Sequence, residues 1–360
     1  MLTYTLRRLT FAIPTLLFIA LIIFLLLELA PGDPMAQVPL TVPAEVKEQM
    51  RQALGLGQPW YIRFWLWLKQ FFWIEPQVFI DWLTNESAWF SWLPNTDLYQ
   101  PCGPGADRLT CDSRAISWQT RSPIMEIVWQ RMPQTLTVVG LSYVVGILIA
   151  IPIGILSAYK QYSVFDQAGT FITMVGYSIP PFFSGVLVIV IFSVNMPEGS
   201  FWRFPSIYDT THRVVDWDSF VFQVRQMVLP VMVLALQTTA QISRFMRAAM
   251  LDNLGQDYVR TARAKGLSEW VVVNVHVLRN SMIPVVTVIA LGVPGIFGGA
   301  IITEQIFKVN GIGQLLITAI QANDLPMVQT LAFIIGVLIV TFNLLADVLY
   351  GLLDPRIRYD

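Results

Sequence analysis

A helix that crosses a bilayer needs about 20 residues without an unpaired charge, and this chain contains six uncharged runs of at least 18 residues. They lie between Arg8 and Glu28, Arg131 and Lys160, Asp166 and Glu198, Arg225 and Arg244, Arg279 and Glu304, and Asp324 and Asp347. The runs enclose 19, 28, 31, 18, 24 and 22 residues respectively. The spacing predicts an all-α, polytopic membrane protein with six transmembrane helices. As buried cores of a soluble protein, six such runs would need a far larger polar shell than the rest of the 360-residue chain supplies. Composition agrees, with 55% hydrophobic and only 13% charged residues, the latter about half the usual share. The 23 basic and 24 acidic residues leave a net charge of -1. There is no bulk basic field for nucleic acid and no acidic tail, so charge informs only by position.

Arg7 and Arg8 precede the first run as they would a signal peptide. The apolar stretch exceeds the roughly 7 to 15 residues of an h-region, however, and Glu28 to Asp33 offers no convincing small-x-small cleavage site. Residues 1–29 are therefore expected to be a short tail and a retained first helix. Six spans put both termini on one side. With that side inside, 11 of the 23 basic residues fall in the inner segments, and the compact cluster from Arg244 to Arg279 is internal, as the positive-inside rule requires. Cytoplasmic N- and C-termini follow.

Residues 30–132 then form a large periplasmic segment, and residues 133–360 hold the remaining five spans. The external segment begins with PGDP at Pro31 to Pro34 and a helical pattern from Pro43 to Leu56, which should stop near Gly55 and Gly57. Nine of the 12 tryptophans lie between residues 60 and 129. Indole rings favour the headgroup region, so one reading is an interfacial helix near 60–73 under a small external cap. Another is a docking surface for an extracytoplasmic partner. Cys102 and Cys111 fall in the same segment, with eight residues between them. A disulfide there suits an oxidising periplasm; two free thiols are the alternative. A second, shorter external segment, 197 to about 226, carries Trp202 and Trp217.

The inner loop at about 248–280 is long, basic and helical in composition. Within it, residues 257–267 read DYVRTARAKGL. Asp257 places a negative charge at a helix start, Lys265 a positive one at its end, and Gly266 supplies the left-handed stop. Thr261, Ala262 and Ala264 are small enough for a partner's groove to approach the backbone, while Tyr258, Arg260 and Arg263 offer an aromatic anchor and charge. A solvated amphipathic loop, or a contact with anionic lipid, has the same composition.

Residues 257–267 resemble the EAA loop of ABC importer permeases, in the form found in the dipeptide, oligopeptide and nickel family. On the pattern E-A-A-x3-G, Ala262 and Gly266 match, whereas Arg260 and Thr261 replace the Glu and the first Ala. The usual downstream I-x-L-P becomes His276-x-Leu278-Arg279-Asn280 leading to Ile283-Pro284. Further similarity is carried by the LRRL start, PGDP, LGLGQPW at Leu54 to Trp60, Arg131-x-Pro133-x-Thr135-Leu136, and GYSIPPFF at Gly176 to Phe183. Glu304-x2-Phe307 leading to GIG at Gly311 to Gly313, and DPRIR at Asp354 to Arg358, complete it. Asn310 stands where the family usually has Pro. Residues 74–116 carry no recognised family pattern and are expected to be an insertion.

The resemblance implies one half of a pore in the bacterial inner membrane. This subunit would pair with a second homologous permease, two cytoplasmic ATPases binding ATP and Mg, and a periplasmic binding protein, with peptides as the default cargo and nickel complexes, glutathione-like compounds or oligosaccharides as alternatives. Residues 257–267 (Asp257, Tyr258, Arg260, Thr261, Ala262, Arg263, Ala264, Lys265, Gly266 and Leu267) would form the coupling helix gripped by the ATPases. Replacing Gly266 by a bulky residue, or Ala262 by Arg, would then leave insertion intact while abolishing that association or the substrate-stimulated ATP hydrolysis.

The residues agree with a non-catalytic subunit. Gly is never followed by Lys, so there is no P-loop, and neither G-x-S-x-G nor H-E-x-x-H occurs. His212 and His276, the only histidines, fall on opposite sides of the expected membrane, which argues against a metal centre. No cofactor is expected. Pro152, Pro180, Pro181 and Pro294 lie inside the runs and free backbone groups. With Glu304 at a span end, Pro180, Pro181 and Pro294 are candidates for a translocation path or gate. A self-contained channel, an ATP-independent carrier or a membrane scaffold would also allow six spans.

Overall fold

The computed structural model describes residues 2–29, 58–85, 98–99, 114–298 and 300–353. The expected helix from Pro43 to Leu56, both cysteines, and the PGDP and DPRIR segments lie outside the described residues. Those described are helical throughout, apart from loops and one isolated antiparallel bridge, Ile116 to Pro123. The helices are α1 (Leu2–Glu28), α2 (60–85), α3 (Ile124–Tyr159), α4 (Val164–Ser178), α5 (Pro181–Val194) and α6 (Trp217–Leu254). They continue with α7 (Asp257–Ala264), α8 (Glu269–Phe297), α9 (Ile301–Phe307), α10 (Ile312–Gln321) and α11 (Leu325–Leu353).

Five of these, α1, α3, α6, α8 and α11, are long and apolar enough to cross a membrane. The remaining expected span, 167–197, is α4 and α5, which meet at an angle of 104°. It is therefore either a broken span or a re-entrant loop, and the total is five or six. Sequence chemistry accounts for the break. Ile179 precedes Pro180 and is extended (φ -76°, ψ 125°), as residues before proline tend to be. Pro181, lacking an N–H, starts α5 where none is needed. Pro133, Pro152, Pro230, Pro284 and Pro294 instead lie within continuous helices. In α3 the chain widens to a π turn at Leu136–Gly140 just after Pro133.

The chain divides into two compact units. The first comprises residues 1–13, 131–315 and 335–360, and its centre is the α3–α6 pair. Gly146, Ala150, Gly154 and Ala158 recur every fourth residue along α3, giving one small-residue stripe. A Cβ at Gly146 would lie 2.6 Å from Thr238 Cβ, and one at Gly154 2.5 Å from Met246 Cβ. No side chain fits there, and the backbones approach closely enough for Thr239 Oγ1 to donate to the Gly146 carbonyl at 3.2 Å. Replacing Gly154 by Val should cost about 2 kcal/mol through overpacking, read as a lower unfolding temperature of the detergent-solubilised protein. An unchanged midpoint would show that the pair is not packed this way. Helix α8 joins the pair through Tyr143 OH, which donates to the Ile289 carbonyl at 2.6 Å, and through Ser281 Oγ, which donates to the Ala249 carbonyl at 3.1 Å.

The second unit comprises residues 14–130 and 316–334. The sequence expects an interfacial helix over 60–73; the helix instead continues to Asn85 through a π turn at Gln70–Ile74. It is held by aromatic contacts, with ring centroids of Phe24 and Phe64 5.2 Å apart, Trp67 and Phe333 5.0 Å, and Phe71 and Phe333 4.6 Å. Trp67 is buried, whereas Trp60, Trp65, Trp73 and Trp82 are exposed. Arg114 bridges Glu75 at 3.2 Å and Glu126 at 2.6 Å. Asp324 is buried and gathers the 117–119 turn onto the start of α11. Its carboxylate accepts from Ser117 Oγ, Trp118 N (3.1 Å), Gln119 N (3.3 Å) and Met327 N (3.4 Å).

Candidate functional site

Helix α7 follows α6 after a two-residue link and precedes α8, so its ends are tied to two long apolar helices. Asp257 is in its first turn and Arg263 in its last, complementing the helix dipole. Gly266 ends it at φ +78°, in the left-handed region that Gly adopts without a Cβ penalty. Its N–H donates to the Arg263 carbonyl at 2.9 Å. These local features place the helix where the sequence expects it.

The helix has two faces. Val259 and Ala262, 0% and 6% exposed, point inward. They belong to a buried cluster with Ala150 and Ala158 of α3, Ile242, Met246, Ala249 and Met250 of α6, and Val272, Val273, Val277 and Val285 of α8. Asp257, Tyr258, Arg260, Thr261, Arg263, Ala264, Lys265, Gly266 and Leu267 are exposed. Sequence reasoning offers Ala262 to a partner's groove, but the structure gives it a different place. It is a packing residue of the chain's own core, and an arginine there would enter that core. The reason is helical spacing: Val259 and Ala262 are three residues apart and share one face.

Several contacts order the outer face. Tyr258 OH donates to Asn253 Oδ1 at 2.7 Å, and Thr261 Oγ1 donates to the Asp257 carbonyl at 3.0 Å. Arg263 forms a two-armed pair with Glu269 at the start of α8, at 2.6 and 3.2 Å. The Glu269 carboxylate holds the Arg263 guanidinium above its usual range. Both side chains are about 40% exposed, so the pair orients rather than stabilises.

About two turns back from the end of α6, Arg247 grips Asp166 of α4 through both arms, at 2.7 and 2.8 Å. Asp166 also accepts from Tyr162 N at 3.0 Å, and its own N–H is capped by Ser163 Oγ at 3.2 Å. This pair fastens the α3–α4 loop to α6 near α7. Sequence reasoning missed it, because the two residues lie 81 positions apart and each reads simply as the charged boundary of a run or loop.

The path candidates separate. Pro180 is exposed at the α4–α5 break, Pro181 is half-buried, and Pro294 is buried inside α8. Glu304 is 1% exposed. It accepts from Thr135 Oγ1 at 3.1 Å and Gln314 N at 2.8 Å, while the same Thr135 Oγ1 accepts from Ile312 N at 2.7 Å. A Cβ at Gly313 would lie 2.8 Å from the Ile301 backbone, so GIG is glycine-rich because the α10 start sits against α9. Glu304 is thus an internal clamp of α3, α9 and α10 rather than a group facing open space. Among the described residues no group of three or more His, Cys, Asp or Glu side chains could hold a metal.

Comparison with known proteins bears on the whole chain. The family described as "binding-protein-dependent transport system inner membrane component" matches residues 150–359, more than half of the chain, and the N-terminal part of the same class of component matches residues 1–79. The chain belongs to this family. It is therefore a permease subunit, not itself catalytic, and a multi-span component of the inner membrane working with a binding protein and an ATPase. It is 32% identical to the oligopeptide transport system permease protein AppB of Bacillus subtilis (strain 168), covering 100% of each chain. It is also 32% identical to the dipeptide transport system permease protein DppB of Escherichia coli (strain K12), covering 100% of this chain and 99% of that one. A chain of the MetNI methionine ABC transporter, in an inward-facing crystal form, shares the fold at a TM-score of 0.50 and 16% identity. It covers 65% of this chain and 99% of that one. The N-terminal match runs to residue 79, past the point at 74 where the sequence expects an insertion to begin.

Proposed function

We propose that this chain is the membrane-spanning half-pore of an ATP-driven importer that receives di- and oligopeptides from a periplasmic binding protein and releases them into the cytoplasm. Support for the cargo comes from full-length similarity to an oligopeptide and a dipeptide permease. The chain pairs with a second homologous permease, and two ATPase subunits binding ATP and Mg engage residues 257–267, the counterpart of the EAA loop. The observation that carries the coupling role is the two-faced α7. Val259 and Ala262 fix it to the α3–α6–α8 core while its other face stands clear in the single chain. A push on that face therefore moves the long helices with it, which is how a closing ATPase dimer would bias inward- against outward-open states. Both termini lie in the cytoplasm, following the basic bias of the 248–280 loop. Residues 30–132 then face the periplasm, where Cys102 and Cys111 pair and the exposed tryptophans of α2 meet the membrane interface or the binding protein.

The test is reconstitution. Thr261→Arg alters the exposed face alone and should leave the permease folded while reducing ATPase-subunit association at least tenfold in pull-down. Wild-type association would remove α7 from the coupling role. Peptide uptake into liposomes by the permease without ATPase subunits would instead establish a self-contained carrier.

A further inference from the structure

A second feature of the first unit points to the cargo itself. Arg247 reaches to Asp166 in the first turn of α4, whereas Arg244, one turn earlier on α6, reaches the other way, to Tyr177. The Arg244 guanidinium carbon lies 4.8 Å from the Tyr177 ring centre, and its Nε donates to the Ala240 carbonyl at 3.0 Å. Tyr177 is eleven residues beyond Asp166, about 16 Å farther along α4 at the helical rise, and two residues before the 104° break. The stacked ring thus belongs to the part of α4 next to its interruption, while Arg244 closes the uncharged stretch of α6. Among the described residues the Arg244 guanidinium has no acidic partner. Arg244 and Tyr177 are both exposed in the single chain. With Gln241 exposed and Gln237 half-buried, Arg244 completes a polar stripe at i, i+4 and i+7 on one face of α6. Lipid is a poor neighbour for such a stripe, and ionisable groups on spanning helices line water-filled paths and bind what passes. Interrupted helices mark the same places in transporters.

We propose that Arg244, stacked on Tyr177, is a cargo-binding group that receives the C-terminal carboxylate of the peptide as it passes the α4–α5 break, with Gln237 and Gln241 meeting its amide groups. An unpaired guanidinium selects a planar anion it can hold with two parallel hydrogen bonds, and the stacked ring fixes its plane. This rests on the peptide reading above and adds the group of the cargo that is recognised.

The test uses the reconstituted full transporter and one peptide with a free or an amidated C-terminus, each at a concentration saturating the binding protein. Arg244→Gln should reduce uptake of the free-carboxylate peptide about tenfold, leave the amidated peptide within twofold, and retain stimulation of ATP hydrolysis by the loaded binding protein. Arg244→Lys should recover part of the difference. Equal loss for both peptides would overturn the assignment, leaving Arg244 a structural residue or the partner of an anionic lipid headgroup. Unchanged uptake of both would overturn it as well. If the wild-type transporter moves neither peptide, the peptide reading itself fails, and the carboxylate assignment falls with it.

Discussion

Glu304→Ala is expected to lower the stability of the permease by about 4 kcal/mol, since it strips partners from groups that have no water to turn to. In the folded chain the Glu304 carboxylate collects Thr135 Oγ1 from α3 and Gln314 N from the start of α10. Removing it takes an acceptor from the Gln314 N–H and from the Thr135 hydroxyl, each such loss costing about 1 to 3 kcal/mol, and the cavity left behind adds to this. Glu304→Gln keeps the shape and one acceptor oxygen and should cost less than half as much. Thermal unfolding of both variants in the same detergent checks this. An alanine variant as stable as the glutamine one would mean that the carboxylate is solvated and free to act as a gate.

Ala262→Arg is expected to be more severe still, costing above about 4 kcal/mol, because an uncompensated charge would enter the cluster of Met246, Met250, Val272 and Val273. The variant should fail to accumulate in the membrane, or should unfold at a much lower temperature than wild type. The sequence alone expects the same substitution to spare insertion and abolish ATPase association or substrate-stimulated ATP hydrolysis. The two expectations are separable by comparison with Thr261→Arg, one residue away on the exposed face. If both arginine variants are equally stable and both lose the ATPase, Ala262 faces outward; if only Ala262→Arg is destabilised, the inward placement holds.

The contrast between neighbours shows what each level of description can carry. The long helices were legible because the demand of lipid is local: an uncharged run of bilayer length satisfies its backbone internally and buries its side chains wherever it sits. Even the break at Ile179 to Pro181 is local chemistry, although its angle emerges only when α4 and α5 pack. The caps of α7 were legible for the same reason, since Asp257, Lys265 and Gly266 act on their own helix. The identity of its partner-facing side was not. Val259 and Ala262 look no different from Ala264 by composition, and only the presence of α3, α6 and α8 on one side decides which of them is core.

Long-range pairing was hidden in the same way. The small-residue stripe at Gly146, Ala150, Gly154 and Ala158 stands plainly in the sequence. Its meaning, a backbone approach that admits no Cβ, depends on Thr238 and Met246 more than 80 positions away. Asp166 and Arg247, Thr135 and Glu304, and Ser117 and Asp324 are polar residues that alone read as boundaries, caps or turn residues. What the sequence by itself determined is which stretches form long apolar helices, how α7 is capped, and which family the chain resembles, because those follow from hydrophobicity and capping within a few turns. The tertiary structure decided which side chains are buried, which charges are paired, and that Arg244 stacks on Tyr177 while its neighbour Arg247 pairs with Asp166. Those depend on what lies across the gap, and no local pattern encodes it.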